Sequence, residues 1–390
     1  MDVPITFYFF LIFAGAAVIA TVALFTRQPL IIAYIALGAA FGPHGFSLVS
    51  DTQLLADIGH IGIIFLLFLL GLDMQPSALW HTLRKSTVVG LASSVIFFSG
   101  GVAVCMLFMF PLTDALVVGA AMMFSSTIIG IKLLPTTVLH HKHIGELMIG
   151  LLLLQDLLAI IVLMILFSAV NGAEGSMPKQ LAISLLGLPL LAGSAVLAVR
   201  YLILPLLARF DRFHEYIFLI ALGWCLGMAE TAKLMGLSEE IGAFIAGVSI
   251  ATSPISQYIA VNLKPLRDFF LILFFFSVGA RFDLRLLEQV WMPALLLAAL
   301  VLAMKPVTYR WLLKGVSEKR SLAWDLGFRL GQASEFSLLI AYVAMGAMLI
   351  SERASILIQA TTIITLLASS YIVVLNYPTP IAISDRLRRD

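Results

Sequence analysis

Two side chains in this sequence carry charge where charge is expensive. Asp156 sits in the run LLLLQDLLAI (151–160) and Lys305 in LVLAMKPVTYR (300–310), each with apolar neighbours on both sides. A charge at mid-membrane depth opposes insertion by roughly 2.5–3.5 kcal/mol. A sequence that keeps one there points to a use for it. A lone buried carboxylate can hold a proton or a cation but not both, which is the property that exchange of one for the other requires. Gln155, next to it, offers a carbonyl oxygen without adding charge. The structural alternative is a carboxylate that only ties its helix to a neighbour.

Lys305 is too far from a helix end to reach water readily along its own stem, so it needs a carboxylate partner or a water path. Asp156 is the expected partner, with Glu335 or a purely structural role as the alternatives. Pro306 follows directly and should loosen the helix and free a carbonyl. Two further stretches mix small and polar residues: FSSTIIG (124–130), with Ser125, Ser126 and Thr127, and GQASEFS (331–337), with Glu335. Such clusters suit interrupted helices whose freed carbonyls and termini coordinate an ion. They also suit close helix packing, and spacing alone does not choose. Arg329 and Glu335, at i and i+6, are not helical neighbours and read as structural charges, with Glu335 able to meet a helix N-terminus or a basic group. His140, His141 and His143 read as a solvated loop before a metal tract. Asp73 and Asp283 read as helix-end caps, and Glu239 and Glu240 as caps or the lining of an access funnel.

The elements that must position these residues are membrane helices. The chain of 390 residues is 61% hydrophobic and 12% charged, with mean hydropathy +1.05, against about half apolar and a quarter charged in soluble domains. A spanning window of about 19 residues gives thirteen helices, near 5–25, 29–48, 56–75, 82–109, 114–136, 144–170, 181–208, 215–234, 239–253, 266–281, 291–314, 324–348 and 352–376. The first reads as a spanning helix, because no basic leader or small-residue cleavage site marks a signal peptide. Cys105 and Cys225 lie inside apolar runs, which argues against a disulfide framework or thiolate metal site. Loops on one side hold only Lys179, Lys233, Arg281, Arg285 and Arg353. Those on the other hold most of the remaining cations, from Arg27, Arg84 and Lys85 to Arg386, Arg388 and Arg389. This asymmetry puts the N-terminus outside and the C-terminus in the cytoplasm.

The chain also echoes itself. IAYIALG (32–38) returns as AFIAG (243–247), and FLLFLLGLD (65–73) as FFFSVGARFD (274–283). Six helices, a linking helix and six more would form inverted repeats over 1–171 and 214–378, joined by 180–210 and followed by a cytoplasmic tail, 379–390. Inverted repeats belong to secondary transporters that bind substrate near the midplane. There is no P-loop, zinc-protease motif or nucleotide fingerprint, so no cofactor is expected. The net charge of +2 implies no nucleic-acid partner.

In order along the chain, Ser125–Thr127, Gln155–Asp156, IGAFIAG (241–247), LFFFSVG (273–279), Lys305 and QASEF (332–336) resemble the membrane domain of the monovalent cation:proton antiporter family 2, and within it the Kef-type potassium/proton antiporters. The resemblance implies an all-α, thirteen-helix, sodium/proton-antiporter-like fold. Two crossing interrupted helices, the fifth and the twelfth, would lie in a mobile six-helix core, beside a domain that forms a homodimer. It further implies an inner-membrane protein, surrounded by lipid, in which an elevator-like movement carries Asp156 between the two sides. A single acid where electrogenic members have two implies electroneutral exchange. Potassium is expected over sodium from the Gln155–Asp156 pair. A sodium/proton antiporter on the same fold is the nearest alternative, and a gated cation channel or a non-transporting membrane sensor the alternative of another class. Kef-type proteins usually continue into a cytosolic nucleotide- and ligand-sensing domain; this sequence stops at Asp390, and Arg386–Arg389 resembles the start of such an extension.

Overall fold

The computed structural model describes residues 5–26, 28, 30–49, 51–73, 76–126, 130, 143–171, 177–210, 213–251, 253, 255–315 and 318–379. Thr127, His140 and His141 lie outside them. The described chain is helical nearly throughout: α1 Ile5–Phe25, α2 Leu30–Phe41, α3 Thr52–Asp73, α4 Pro76–Leu107, α5 Leu112–Met122, α6 His143–Asn171 and α7 Met177–Ala198. A π-helical turn, Val199–Ile203, leads into α8, Leu204–Arg209. Then come α9 His214–Leu234, α10 Glu239–Ala251, α11 Ile255–Ala280, α12 Leu284–Gly315, α13 Arg320–Arg329, α14 Glu335–Gly346 and α15 Glu352–Asn376.

Among the described residues seven helices are long and apolar enough to cross a membrane, and α2, α5 and α14 are among the shorter apolar ones. The shortfall in length has a local cause where it matters. The expected fifth helix stops at Met122 and gives way to non-helical Phe124–Ser126, and the expected twelfth is two helices, α13 and α14, with Leu330–Ser334 between them. The helix expected over 266–281 starts earlier, because α11 runs through Pro265 from Ile255. Pro293 and Pro306 likewise lie inside α12. A proline within a membrane helix is tolerated where neighbouring groups take up the freed backbone carbonyl.

The helices form two compact units, each drawing on both halves of the sequence: one of 1–50, 81–163 and 278–390, the other of 51–80 and 164–277. In the first, α12 packs on α15 and α13, and α14 on α15 and α5. In the second, α10 packs on α3 and α9. The echoed segments pair crosswise. A Cβ on Gly279 would fall 2.0 Å from Ile35 O in the first unit, and one on Gly247 would fall 2.1 Å from Phe68 O in the second. Both are backbone contacts that only glycine permits, the close approach by which membrane helices gain packing where the hydrophobic effect offers none.

Candidate functional site

The site is built in the first unit, from α6, α12 and the two interruptions. α5 ends when Met123 closes back on Ala120 O, and Phe124–Ser126 beyond it are not helical. α14 begins at Ser334, whose hydroxyl accepts from Phe336 N–H while Ser337 Oγ accepts from Ser334 N–H, a reciprocal cap. Ser337 Oγ also donates to Ala121 O at 2.6 Å, and Ser125 Oγ donates to Leu330 O at 2.8 Å. The two interruptions therefore meet each other. The small residues read from the sequence serve interruption rather than close packing alone.

Lys305 is fully buried. Its ammonium donates to Phe124 O at 2.6 Å, Gln332 O at 2.8 Å and Ser125 Oγ at 3.1 Å, and the ring of Phe97 lies 5.2 Å from the nitrogen. The expected partner, Asp156, is not among these acceptors, and neither is Glu335. The physical reason is the pair of interruptions. Phe124 O and Gln332 O follow the C-terminal ends of α5 and α13, where unpaired carbonyls carry partial negative charge. Two such ends aimed at one point make a cation site without a carboxylate.

Asp156, on α6, is buried at 4% exposure and engaged within the protein. Gln155 beside it has a task besides the one expected of it. Its Oε1 accepts from Ser125 N–H at 2.9 Å and its Nε2 donates to Tyr309 Oη at 2.7 Å. Its carbonyl oxygen is thus already bound to the first interruption, and Gln155 positions that segment. Ser126 is buried, and its carbonyl accepts from Gly130 N–H at 3.1 Å. Glu335 stands half-buried in the first turn of α14, where a helix N-terminus favours a carboxylate.

Tyr309 escaped the sequence reading. It is fully buried, one helical turn beyond Lys305, and its ring meets Phe97 edge-on at 5.5 Å. The available signal was its i+4 spacing from a buried lysine. Tyr309→Phe should lower stability by about 1–3 kcal/mol, because it strands the buried amide donor of Gln155. Thermal unfolding in detergent measures this, and an unchanged melting curve would show the bond to be dispensable.

Other charges behave structurally. Arg329, 2% exposed, donates to Asp325 Oδ1 at 2.7 Å and to Pro378 O at 2.8 Å. Asp283 Oδ1 accepts from Arg285 N–H at 2.8 Å, a cap on α12. In the second unit Glu239 pairs with Lys233 at 2.5 Å, and Glu240 with His60 at 3.1 Å; nothing in the spacing announced His60.

Residues 11–375 match the family described as sodium/hydrogen exchanger, transmembrane. Relatives include the iron transporter MagA of Paramagnetospirillum magneticum, 29% identical over 354 residues, which cover 88% of this chain and 79% of that protein. K(+) efflux antiporter 4 of Arabidopsis thaliana is 30% identical over 352 residues, 88% of this chain and 59% of that one. The glutathione-regulated potassium-efflux system protein KefC of Salmonella newport is 32% identical over 345 residues, 86% of this chain and 54% of that one. The chain thus spans little more than half the length of the two efflux antiporters. Among solved structures, the sodium proton antiporter MjNhaP1 of Methanocaldococcus jannaschii at pH 8 superposes with a TM-score of 0.70 at 19% identity, over 93% of this chain and 94% of that one. That likeness establishes the fold. With apolar helices throughout and a match over nearly its whole length, this chain is an integral membrane protein of the sodium/hydrogen exchanger family.

Proposed function

We propose that this chain exchanges potassium for protons across a bacterial inner membrane by alternating access, with Asp156 as the group that carries either the cation or the proton. The observation that carries this reading is a buried carboxylate on α6, one residue from the glutamine that braces a helix interruption. Interrupted helices that meet at a membrane midplane are where secondary transporters bind ions. The residue before the acid is neutral, so one proton is traded for one monovalent cation. Oxygens near Ser125, Ser126 and Thr127 complete the cation's shell, and the carboxylate reprotonates after release. Lys305 acts as a resident positive charge that neutralises the two helix ends.

Potassium is preferred over sodium in this reading because the efflux antiporters named above share the chain's sequence at 30% and 32% identity. The elevator-like movement, the homodimer and an outside N-terminus belong to the same proposal. So does a cytosolic ligand-sensing domain in the whole protein, since the KefC relative is described as glutathione-regulated and exceeds this chain in length.

Proteoliposomes holding an internal pH dye test the reading. Addition of potassium should drive proton movement without an imposed membrane potential, and sodium should do so far less. A response to sodium alone would reassign the substrate on the same fold. Potassium flux without proton movement would indicate a channel.

A further inference from the structure

Helix α15, which meets the second interruption, carries six buried polar side chains on one half of its surface besides Ser370, whose hydroxyl donates to Leu366 O at 2.8 Å. Ser355, Gln359, Thr361, Thr362, Thr365 and Ser369 are all buried, and at 3.6 residues per turn they share one half of the helix circumference. Two of them serve the interruption directly. Thr365 Oγ1 accepts from Ala333 N–H at 3.1 Å, and Ser369 Oγ donates to Gln332 Oε1 at 2.8 Å. Gln359 Nε2 donates to Ser355 Oγ at 3.0 Å.

Four atoms, three on α15 and one in the second interruption, have no partner among the described residues and no exposed surface: Gln359 Oε1, the hydroxyls of Thr361 and Thr362, and Gln332 Nε2. Inside a bilayer every such group has to be satisfied internally, and buried polar atoms are overwhelmingly paired with protein or with bound water. A change of rotamer could aim the threonine hydroxyls at the carbonyl four residues back. It would leave the Gln359 oxygen and the Gln332 nitrogen as they are. The unmet set contains an acceptor, a donor and two groups that are both. Water, with two donors and two acceptors, matches that mixture; a bare cation can use only the oxygens.

We propose that this face of α15 is a binding site for water, which continues the polar network from Gln332 past Thr362 to Gln359 and solvates the backbone of the α13–α14 interruption. A backbone segment bathed by bound water can exchange hydrogen-bond partners without passing through an unpaired state, a property useful to any interruption that must move. The inference does not depend on which ion the protein carries.

Radiolytic hydroxyl labelling of the full chain in lipid nanodiscs, read by mass spectrometry, tests it, because side chains beside bound water are oxidised even when buried. The α15 segment around Ile358 and Leu366 should label well above the equally buried, apolar surroundings of Leu297 and Val301 on α12. Thr361→Val with Thr362→Val should bring it down to that reference, while the two serine replacements should keep it. The wild-type result should be the same in potassium and in choline buffers. Wild-type labelling at the reference level would overturn the proposal with no variant needed. So would undiminished labelling in the valine protein, or labelling that potassium abolishes, which would make the occupant a cation.

Discussion

Asp156→Asn is expected to reduce proton-coupled cation flux to the level of protein-free liposomes while leaving the fold intact. The side chain keeps its shape and loses only its ability to titrate, so what disappears is the exchange of proton for cation. Stability should stay within about 1 kcal/mol of wild type or rise, since a buried carboxylate opposes folding unless fully compensated. The two halves of this prediction are read separately, by dye-reported flux and by thermal unfolding of the same preparation. Residual potassium-driven proton movement in the Asn protein would remove Asp156 from its assigned role. An unfolded Asn protein would instead assign it to the architecture.

Lys305→Ala should have its main effect on stability, of order 3 kcal/mol or more. The ammonium satisfies Phe124 O, Gln332 O and Ser125 Oγ at once, and each buried acceptor left unpaired destabilises by about 1–3 kcal/mol. Part of that is offset, because removing a buried charge also removes its desolvation penalty. Lys305→Met separates lost packing from lost hydrogen bonds, since it fills most of the space and donates nothing. Lys305→Gln, which can still donate to two carbonyls, should recover part of the loss. If the Met protein proves as stable as wild type, the two helix ends do not need a resident cation, and the carbonyl site around Lys305 has no structural role.

Most of the site was visible before the fold. Asp156, Lys305 and the two polar clusters stand out because apolar sequence surrounds them, and the energetic penalty of a polar group in hydrocarbon depends on little beyond depth. Interruption at 124–126 and 330–334 was likewise foreshadowed by small and polar residues that lower helix preference and compete for backbone groups. Partnership was not visible in this way. Phe124 and Lys305 are 181 positions apart, and the acceptors at Phe124 and Gln332 are main-chain carbonyls, which every residue possesses and which no residue type announces. A reading that matches charges to charges therefore sent Lys305 to Asp156. The tertiary structure sent it to two helix ends.

The same distinction explains Gln155 and Tyr309. As a residue type, glutamine beside an aspartate promises an ion ligand. In the fold its amide is bound on one side to Ser125 N–H and on the other to Tyr309, because the end of α5 leaves a backbone donor that must be met inside the bilayer. Sequence by itself determined that the chain lives in a membrane, that it is helical and which few residues carry charge there, since those follow from transfer energies summed along the chain. Only the tertiary structure decided which carbonyls hold the buried lysine and which amide braces the interruption. Each of those is settled by distances of about 3 Å between elements far apart in sequence, and hydrogen bonding falls away too steeply with distance and angle for composition or spacing to stand in for it.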